Sequence, residues 1–411
     1  MRIAYICADR GIALSAHSGS AVHVRAFARA LEGRGNQVTI FAASAATAPA
    51  LDEARADIVA IATDPILDLV RERSAKELRA AGLATVDAAE TYSLLLNQTL
   101  LAELTRRAGC FDLVYERQSL WSFAGLQFAQ REHIPYVIEV NAPLLSQQEE
   151  YRELHRRESA RAIEELLFTS ADLLLVTTPA LVDYVQSRGA SRRQTRVLPC
   201  GVTREMLEVH PCATAGRDEF VVGFVGSLKP WHGIEVLLQA FLQLSYLSSR
   251  YRLLLVGSGP LLPYVETYCR DHNIADRVTL AGEVPHQRVG EYLARMDIGV
   301  APYPALPMFY FSPLKVWEYA AAGVPIVASA SGELPKLFPH KQAALLHAPG
   351  NVGKIVKHIE LLRQDRDLGA RLARRARRVA KAHTWDRLAA RFETMARKLV
   401  ATPPSRGGTA G

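Results

Sequence analysis

The first half of the chain alternates short apolar runs with longer amphipathic stretches. The apolar runs predict β-strands at Ile3–Cys7, Val38–Phe41, Leu113–Tyr115, Tyr136–Val140 and Leu173–Val176. The amphipathic stretches predict helices, among them Ala21–Arg34, Thr91–Arg107 and Glu149–Phe168. Because strands and helices alternate, we expect a parallel, doubly wound α/β sheet.

The same rhythm restarts in the second half. Apolar runs there predict strands at Phe220–Val225, Arg252–Val256, Val278–Leu280, Ile298–Ala301 and Ile326–Ala328. Helical periodicity predicts helices at Ile234–Leu247, Pro260–His272, Val352–Leu362, Leu368–Ala382 and Trp385–Leu399. Sheets of this kind bind ligands at the carboxyl ends of their strands, so we expect two sheets that face a ligand-binding cleft.

The pattern lapses between the two halves, where Pro211, Thr214 and Gly216 interrupt it. We therefore expect an N-terminal Rossmann-like domain at residues 1–203, a linker at 204–217 and a C-terminal Rossmann-like domain at 218–383. A final helix at 384–400 is expected to pack back towards the N-terminal domain, and residues 401–411 to form a disordered tail.

Composition narrows the class of protein. Of the 411 residues, 49% are apolar, which is enough for packed cores and argues against global disorder. The five cysteines are scattered and form no C-x-x-C pair, so we expect reduced thiols and a cytoplasmic protein. The opening apolar run is too short for a signal peptide, and no stretch of about 18 apolar residues predicts a membrane span.

The net charge of +7 favours an anionic partner. Nucleotide diphosphates and anionic lipids fit that charge, whereas no nucleic-acid-binding module is recognisable, so we expect no nucleic acid. Two predicted helices carry basic runs, Arg152, Arg156, Arg157 and Arg161 in one and Arg371, Arg374, Arg375, Arg377, Arg378 and Lys381 in the other. They are either solvated helix faces or a surface for peripheral contact with the inner face of a membrane.

The most informative stretch is S-P-L-K-V-W-E-Y-A-A-A-G, from Ser312 to Gly323. We expect Ser312 to cap a helix, Pro313 to take its first position and Gly323 to end it. Lys315 and Glu318 then share one face. Free amide groups, the helix dipole and a lysine suit a phosphate, and Glu318 suits a sugar diol. Phosphates beside a ribose indicate a nucleotide.

A second candidate segment is V-G-F-V-G-S-L-K-P-W-H-G. Gly226 and Ser227 directly follow a predicted strand, and Lys229 and His232 precede the next helix. Two potential cations in a glycine loop suit a diphosphate. An ordinary loop with a solvated lysine is the alternative.

Two further loops are weaker candidates. The strand that ends in L-V-G-S-G-P places Gly257 at a turn, where glycine allows a positive φ. In A-G-E-V-P-H-Q-R-V-G-E-Y-L, Gly282 and an extended Val284 could let a flat base lie against the backbone. A plain loop before a short helix is the alternative there.

Together these segments resemble the nucleotide-sugar glycosyltransferases of the GT-B fold, in the large retaining family 4. The resemblance covers most of the chain, from the first strand and its glycine loop Ser18–Ser20 to the last helix. Three ordered motifs carry it: V-G-S-L-K-P-W-H-G-I-E-V-L-L-Q-A-F, G-E-V-P-H-Q-R-V-G-E-Y-L-A-R-M-D-I-G-V-A-P and F-S-P-L-K-V-W-E-Y-A-A-A-G-V-P-I-V-A. It implies an α/β protein of two Rossmann-like domains facing a cleft, the N-terminal one on the acceptor side.

The resemblance also implies roles for residues of the C-terminal domain. Glu318 matches the glutamate that binds the ribose, and Val284 matches the residue whose backbone meets the base. Leu314 and Lys315 match the helix start whose amide groups meet the diphosphate. His232 matches a position usually held by a lysine that neutralises the leaving phosphate.

In the N-terminal domain, Gly19 and Ser20 match the loop that approaches the phosphates or the acceptor. Where the family often has a histidine, this chain has Glu139 and Asn141, which either contact the sugar or acceptor or end a strand. A departure in the C-terminal domain is Tyr310, which replaces the first of the family's paired glutamates and leaves the donor sugar open.

The implied activity is retaining transfer of a hexose-type sugar from a UDP- or GDP-sugar to a hydroxyl acceptor, without a further cofactor. Lys229, His232 and Lys315 are the expected catalytic cations, and Lys229 can replace an arginine that is common where Ser227 stands. We expect no metal, because Asp297 and Glu283 are not clustered as metal ligands. A nucleotide-sugar epimerase with Glu139 as base and a non-catalytic GT-B subunit are the alternatives.

Overall fold

The structure of the protein is a computed structural model that describes residues 1–44, 56–61, 73, 76–77, 80–81, 86–151, 153–211 and 218–402. These residues form two compact units. The first contains the described parts of 1–16, 23–199 and 388–411, and the second those of 17–22 and 200–387. The main chain therefore passes into the second unit after Pro199, a few residues before the predicted linker.

The first unit is built on a seven-stranded parallel sheet in the order β3-β2-β1-β4-β5-β6-β7. Its strands are β1 (Arg2–Cys7), β2 (Gln37–Ala42), β3 (Asp57–Ala60), β4 (Leu113–Arg117), β5 (Tyr136–Val140), β6 (Leu173–Val176) and β7 (Thr195–Val197). The central strands β4, β5 and β6 are buried along their whole length, as a parallel sheet covered on both faces requires.

Among the described residues, the helices of the first unit include Gly19–Glu32, Val86–Thr105, Ala124–Arg131, Leu144–Tyr151, Arg157–Ser170 and Ala180–Gln186. One predicted helix, Glu149–Phe168, is interrupted. Its break falls where the buried carboxylate of Glu90 accepts hydrogen bonds from the backbone N–H groups of His155 (2.9 Å) and Arg156 (3.0 Å). Because those amide groups bond to a distant side chain, the helical ladder does not run through them.

The last helix, Trp385–Ala401, packs onto the first unit from residue 388 onwards. The ring of Phe392 lies 5.7 Å from that of Phe27 and 5.2 Å from that of Tyr115, edge to face. An ion pair of 2.8 Å between Arg34 and Glu393 closes the same contact. This helix is therefore part of the core of the unit that starts the chain.

The second unit holds a six-stranded parallel sheet in the order β10-β9-β8-β11-β12-β13. Its strands are β8 (Phe220–Val225), β9 (Tyr251–Val256), β10 (Val278–Gly282), β11 (Ile298–Ala301), β12 (Ile326–Ser329) and β13 (Leu345–His347). Its helices are Arg204–Glu208, Ile234–Leu247, Leu262–Asp271, Val289–Leu293, Leu314–Ala322, Leu334–Leu337, Val352–Gln364 and Arg366–Lys381. Two parallel α/β sheets confirm the predicted fold class.

The pattern missed three strands, all at sheet edges: β3, β7 and β13. Each has only three or four residues, too few for a clear apolar run. The predicted linker also contains structure, because Arg204–Glu208 is a short helix whose Met206 is buried in the core of the second unit. Residues 212–217 of that linker and 403–411 of the predicted tail lie outside the described residues.

Three histidines meet at the β13 edge of the second sheet. The His358 ring centroid lies 5.6 Å from that of His340 and 6.3 Å from that of His347. Nδ1 of His358 is buried and has no hydrogen-bond partner among the described residues. Burial, followed by the neighbouring histidines, Lys354 and Lys341, lowers the pKa of His358 to about 4. The folded protein therefore holds this ring neutral at a pH where an unfolded chain would protonate it.

This difference predicts a loss of stability in acid. Since the folded pKa lies below the ordinary 6.5, the stabilisation is complete above pH 6.5 and is lost as the pH falls towards about 4. At about pH 5, His358→Leu should recover roughly 2 kcal/mol relative to the wild type, beyond any difference at pH 7.5. Thermal unfolding at both pH values measures this, with the exposed His210→Leu as control. Equal pH dependence in wild type and H358L would contradict it.

Candidate functional site

The helix Leu314–Ala322 is the centre of the candidate site. Pro313, not Ser312, occupies its N-cap position, and the Ser312 hydroxyl instead accepts a hydrogen bond from Cys200 N at 3.0 Å. The prediction of Ser312 as the cap was therefore wrong, because its oxygen binds a residue distant in sequence. Val316 N donates to Pro313 O, whereas the amide groups of Leu314 and Lys315 have no acceptor among the described residues. These two donors are the ones a helix start offers to an anion.

The sheet fixes this helix through Tyr319. The Tyr319 hydroxyl accepts from Val225 N at 2.9 Å and donates to Val300 O at 3.3 Å, so it joins the ends of β8 and β11. Gly299 makes this possible, because a Cβ there would lie 2.6 Å from the Tyr319 ring. The amino end of the helix is thereby held at the carboxyl ends of the strands, where parallel sheets bind ligands.

Two glycine turns follow β8 and β9 and lie against each other. Gly226 has φ +134° and Gly257 has φ +128°, values that disfavour any side chain. Gly226 N donates to Val256 O at 2.9 Å, and a Cβ on Gly257 would lie 2.2 Å from Gly226 O. A Cβ on Gly226 would lie 3.2 Å from Nζ of Lys315. The predicted loop residues Gly226 and Gly257 are thus brought together, and Lys315 lies beside them.

Lys315 is buried, with 6% of its surface exposed. Its Nζ lies 4.4 Å from the centre of the Phe224 ring and 5.1 Å from that of Tyr303. Among the described residues it has no hydrogen-bond partner. Burial lowers the pKa of Lys315 to about 7, and Glu318 opposes that shift. An anion that binds in place of the lost water would strongly stabilise the charged form of such a buried amine.

His232 differs from its expected role as a cation. Its Nδ1 lies 2.6 Å from the carbonyl oxygen of Ser227, so Nδ1 carries the proton and donates it to that oxygen. Burial, then Lys315 and Lys229, lower the pKa of His232 to about 3. At neutral pH the ring is therefore uncharged and presents Nε2 as an acceptor. The half-buried Lys229 lies over the Trp231 ring at 5.1 Å, in the same loop.

Glu318 follows Lys315 by one helical turn and is also buried. Its Oε1 lies 2.8 Å from Nε2 of His286, a residue within the predicted base-binding segment. Val284, in that segment, is half-buried and packs against the core of the second unit. Sequence reasoning missed His286, because one histidine in a loop gives no signal until the fold brings a carboxylate to it.

Tyr310 lies in an uncharged aromatic segment that leads into the helix. Its ring is 4.3 Å from that of Phe311, and the Phe311 ring is 6.4 Å from that of His232. Residues 302–314 contain no charged side chain. The side of the site next to His232 is therefore apolar at the position where the family has the first of its paired glutamates.

Gly19 and Ser20 are the first residues of the helix Gly19–Glu32. Residues 17–22 group with the second unit, and a Cβ on Gly19 would lie 3.3 Å from Cδ1 of Leu314. Gly19 therefore allows close approach of the backbone to the first residue of the helix Leu314–Ala322. Ser20 is half-buried beside it.

Glu139 is held inside the first unit rather than exposed to a ligand. Only 2% of its surface is exposed, and Nε2 of His23 lies 2.7 Å and Nη1 of Arg117 3.7 Å from its carboxylate. Burial raises the pKa of Glu139, but His23, Arg117 and the half-buried Asn141 outweigh it, so the pKa is lowered overall. A buried, paired carboxylate is a poor general base, which disfavours the epimerase alternative.

The described residues contain no group of three or more His, Cys, Asp or Glu side chains that could hold a metal ion. No helix among them is long and apolar enough to cross a membrane. Asp297, a carboxylate of the second unit, bonds instead to Val221 N at 2.7 Å and to Arg366 at 2.8 Å.

Two family profiles match the chain. Residues 18–201 match the profile described as "Glycosyl transferase 4-like domain", and residues 219–365 match "Glycosyl transferases group 1". The chain belongs to the GT-B glycosyltransferases of the family 4 type. Most residues matched by the first profile lie in the first unit, and those matched by the second profile lie in the second unit. The resemblance drawn from the motifs is confirmed.

Curated relatives of this glycosyltransferase include two mycobacterial enzymes. One is the MMP alpha-(1->4)-mannosyltransferase of Mycolicibacterium hassiacum, 24% identical over 93% of this chain and 95% of that protein. Another is the GDP-mannose-dependent alpha-(1-6)-phosphatidylinositol monomannoside mannosyltransferase of Mycobacterium tuberculosis, 26% identical over 51% of this chain. That match spans 58% of the relative's own length.

Solved structures share the fold of the glycosyltransferase. Sucrose-phosphate synthase from Thermosynechococcus elongatus superposes with a TM-score of 0.73 at 22% identity, covering 98% of this chain and 99% of that one. HepE of Anabaena, in complex with UDP and glucose, superposes with a TM-score of 0.71 at 17% identity, covering 97% and 99%. These likenesses confirm the GT-B fold.

The paired glycine turns of the glycosyltransferase give a direct test of its site geometry. Gly257→Ala places a Cβ against Gly226 O at a strained φ, so it should cost about 2–4 kcal/mol of stability and weaken nucleotide binding. Gly282→Ala is the matched control, since its φ is also positive (+67°) but nothing lies within 4 Å of its Cβ. It should cost only about 1 kcal/mol. Thermal unfolding measures the stability of both variants, and calorimetry with UDP and GDP measures nucleotide binding by Gly257→Ala. Equal losses of stability in the two variants would contradict the assignment of Gly257 as a close-approach glycine.

Proposed function

We propose that this glycosyltransferase transfers a sugar from a nucleoside-diphosphate sugar to a hydroxyl acceptor, with retention and without a metal. The buried Lys315, with no partner among the described residues, is the observation that carries the proposal. An amine placed at a helix start, beside two free amide groups, is suited to a diphosphate. Glu318, one turn further along the helix, suits the hydroxyls of the adjoining ribose.

The proposed chemistry follows from where charge develops. Cleavage of the bond between the anomeric carbon and the phosphate oxygen leaves negative charge on the diphosphate. The ammonium of Lys315, the amide groups of Leu314 and Lys315 and the helix dipole lie where they would stabilise that charge. In the front-face reaction, the acceptor hydroxyl attacks the same face of the sugar and its proton passes to the departing phosphate oxygen. No protein nucleophile is required.

His232 contributes differently from the lysine in this proposal. Its neutral ring presents Nε2 as a hydrogen-bond acceptor, which suits a hydroxyl of the donor sugar better than a phosphate oxygen. The aromatic rings of Tyr310 and Phe311 beside it suit the apolar face of a sugar ring. Relatives are named for GDP-mannose and neighbouring structures contain UDP-glucose, so these are the donors to test first.

The first test removes the amine. Lys315→Met should lower kcat/KM for transfer about 10²- to 10³-fold, as for the loss of one electrostatic donor at a transition state. Lys336→Met, which removes an exposed lysine of the same unit, is the matched control and should leave the rate unchanged. Initial rates with UDP- and GDP-sugars measure this, and proton NMR of the product reports the anomeric configuration. Normal rates in K315M, or an inverted product, would overturn the proposal.

The pH dependence gives a second, independent readout. Because the pKa of free Lys315 is lowered to about 7 and the diphosphate binds the protonated form, affinity should fall as the pH rises above about 7. The fall approaches tenfold per pH unit. Calorimetric titration with UDP and GDP between pH 6 and 9 measures it, and Lys315→Met should flatten the profile. An unchanged slope in K315M would assign the titration to another group.

We also propose that the helix Arg366–Lys381 contacts an anionic membrane that carries the acceptor. Arg371, Arg374, Arg375, Arg378 and Lys381 are exposed along it. Arg371 reaches Asp365 at 4.0 Å, and the other four form no ion pair with a described residue. In contrast, Arg157 and Arg161 of the first unit pair with Glu149 and Glu165, and Arg156 donates to Thr91. Arg152 lies outside the described residues.

Liposome co-sedimentation tests this surface. The wild type should bind vesicles that contain phosphatidylglycerol at low salt. It should dissociate from them at about 0.5 M salt, because charges are then screened within a few ångströms. The triple variant R374Q/R375Q/R378Q should bind less. The double variant R157Q/R161Q, which removes the same type of side chain from paired positions, should bind normally. No sedimentation of the wild type at low salt ends the membrane proposal.

A further inference from the structure

The carboxylate proposed to bind the ribose has one fixed partner within the protein. Glu318 lies on the helix Leu314–Ala322, and its side chain is 10% exposed. Nε2 of His286 lies 2.8 Å from its Oε1, and the His286 side chain is 20% exposed. Its other oxygen, Oε2, has no hydrogen-bond partner among the described residues. The carboxylate is therefore bonded on one side and open on the other.

The position of His286 is fixed by the chain on both sides of it. Before it, Gly257 N donates to Gly282 O at 2.8 Å, which attaches β10 to the turn of Gly257. After it, Arg288 N donates to Pro285 O at 2.9 Å, and Val289 is buried in the core. The imidazole is thus carried by a segment anchored at both ends rather than by a free loop.

We propose that His286 is a positioning residue for Glu318, and that through it the protein selects a ribose over a 2′-deoxyribose. Its Nε2–H donates to Oε1, so the carboxylate plane is fixed and Oε2 faces the pentose. Recognition of two vicinal hydroxyls depends on that plane, because both must reach carboxylate lone pairs at once. This inference rests on the proposed function, since it refines how the same site holds its nucleotide.

The geometry also connects the pentose to the base. His286 is two residues from Val284, whose backbone the resemblance assigns to the base, and it contacts the side chain assigned to the ribose. One short segment would therefore contribute to both halves of the nucleoside.

The test compares ribonucleotides with deoxyribonucleotides. Calorimetry gives the Kd of UDP, GDP, dUDP and dGDP for the wild type, His286→Ala and His286→Gln. In H286A, we expect the Kd of the preferred ribonucleotide to rise roughly tenfold, as for the loss of a hydrogen bond to a charged group. The Kd of its deoxy counterpart should change less, so the preference for ribose shrinks. H286Q retains an N–H donor and should recover part of the preference.

Two controls separate positioning from general damage. Arg288→Ala changes an exposed residue of the same turn, paired at 3.0 Å only with Glu291, and should leave the ribose preference intact. Adding His286→Ala to Glu318→Gln should change the Kd less than His286→Ala does alone, because the two side chains act through one contact. Thermal unfolding shows whether each variant is folded.

Three outcomes can be distinguished. If the wild type binds none of the four nucleotides, the proposed function itself fails. If it prefers ribonucleotides and H286A keeps the full preference while folded, the role of His286 is refuted. The positioning role would also be contradicted if H286A lost tenfold in ribonucleotide affinity, H286Q recovered none of it, and the effects of H286A and E318Q were additive. That result would show that His286 acts independently of Glu318.

Discussion

The second unit depends on one unfavourable arrangement, a lysine amine placed almost completely out of water at a helix start. Lys315 has the π faces of Phe224 and Tyr303 nearby, which attract a cation but form no strong hydrogen bond. The cost of that burial appears as a pKa lowered to about 7. Packing around the helix keeps the amine in place, since every residue from Lys315 to Ala322 is buried. A diphosphate would restore the missing electrostatic partner.

The backbone around the lysine is shaped to leave that space. Gly226 and Gly257 adopt φ values that side chains disfavour, and Gly299 lets the Tyr319 ring lie on β11. A Cβ at Gly257 or Gly299 would collide with Gly226 O or with the Tyr319 ring, and a Cβ at Gly226 would lie 3.0 Å from Cε of Lys315. The shape of the site therefore depends on these three glycines as well as on the side chains present. The helix is held in place by its packing on the sheet.

The sequence predicted the helix, the shared face of its lysine and glutamate and the glycine turns, because each has a local signature: a proline near the helix start, a spacing of three residues, a stop at Gly323 or a glycine after a strand. What it could not predict depends on partners distant in the chain. Ser312 reads as a cap until Cys200 takes its oxygen. His232 reads as a cation until burial and Lys315 make it neutral. His286 and the short edge strands have no local signature at all.

Lys315 and Glu318 differ from two buried carboxylates of the first unit in how many partners the protein gives them. In the first unit, Glu139 has His23 and Arg117, and Glu164 has Tyr184, Gln118 and Arg188 at 2.7–3.0 Å. These partners lie within the fold, so the two carboxylates leave little to a ligand. In the second unit, Lys315 is uncompensated among the described residues, and Glu318 is compensated on one oxygen only. A cation and a half-bonded carboxylate one helical turn apart suit two adjoining parts of a nucleotide, because the cation attracts the diphosphate and the carboxylate accepts hydrogen bonds from the pentose hydroxyls.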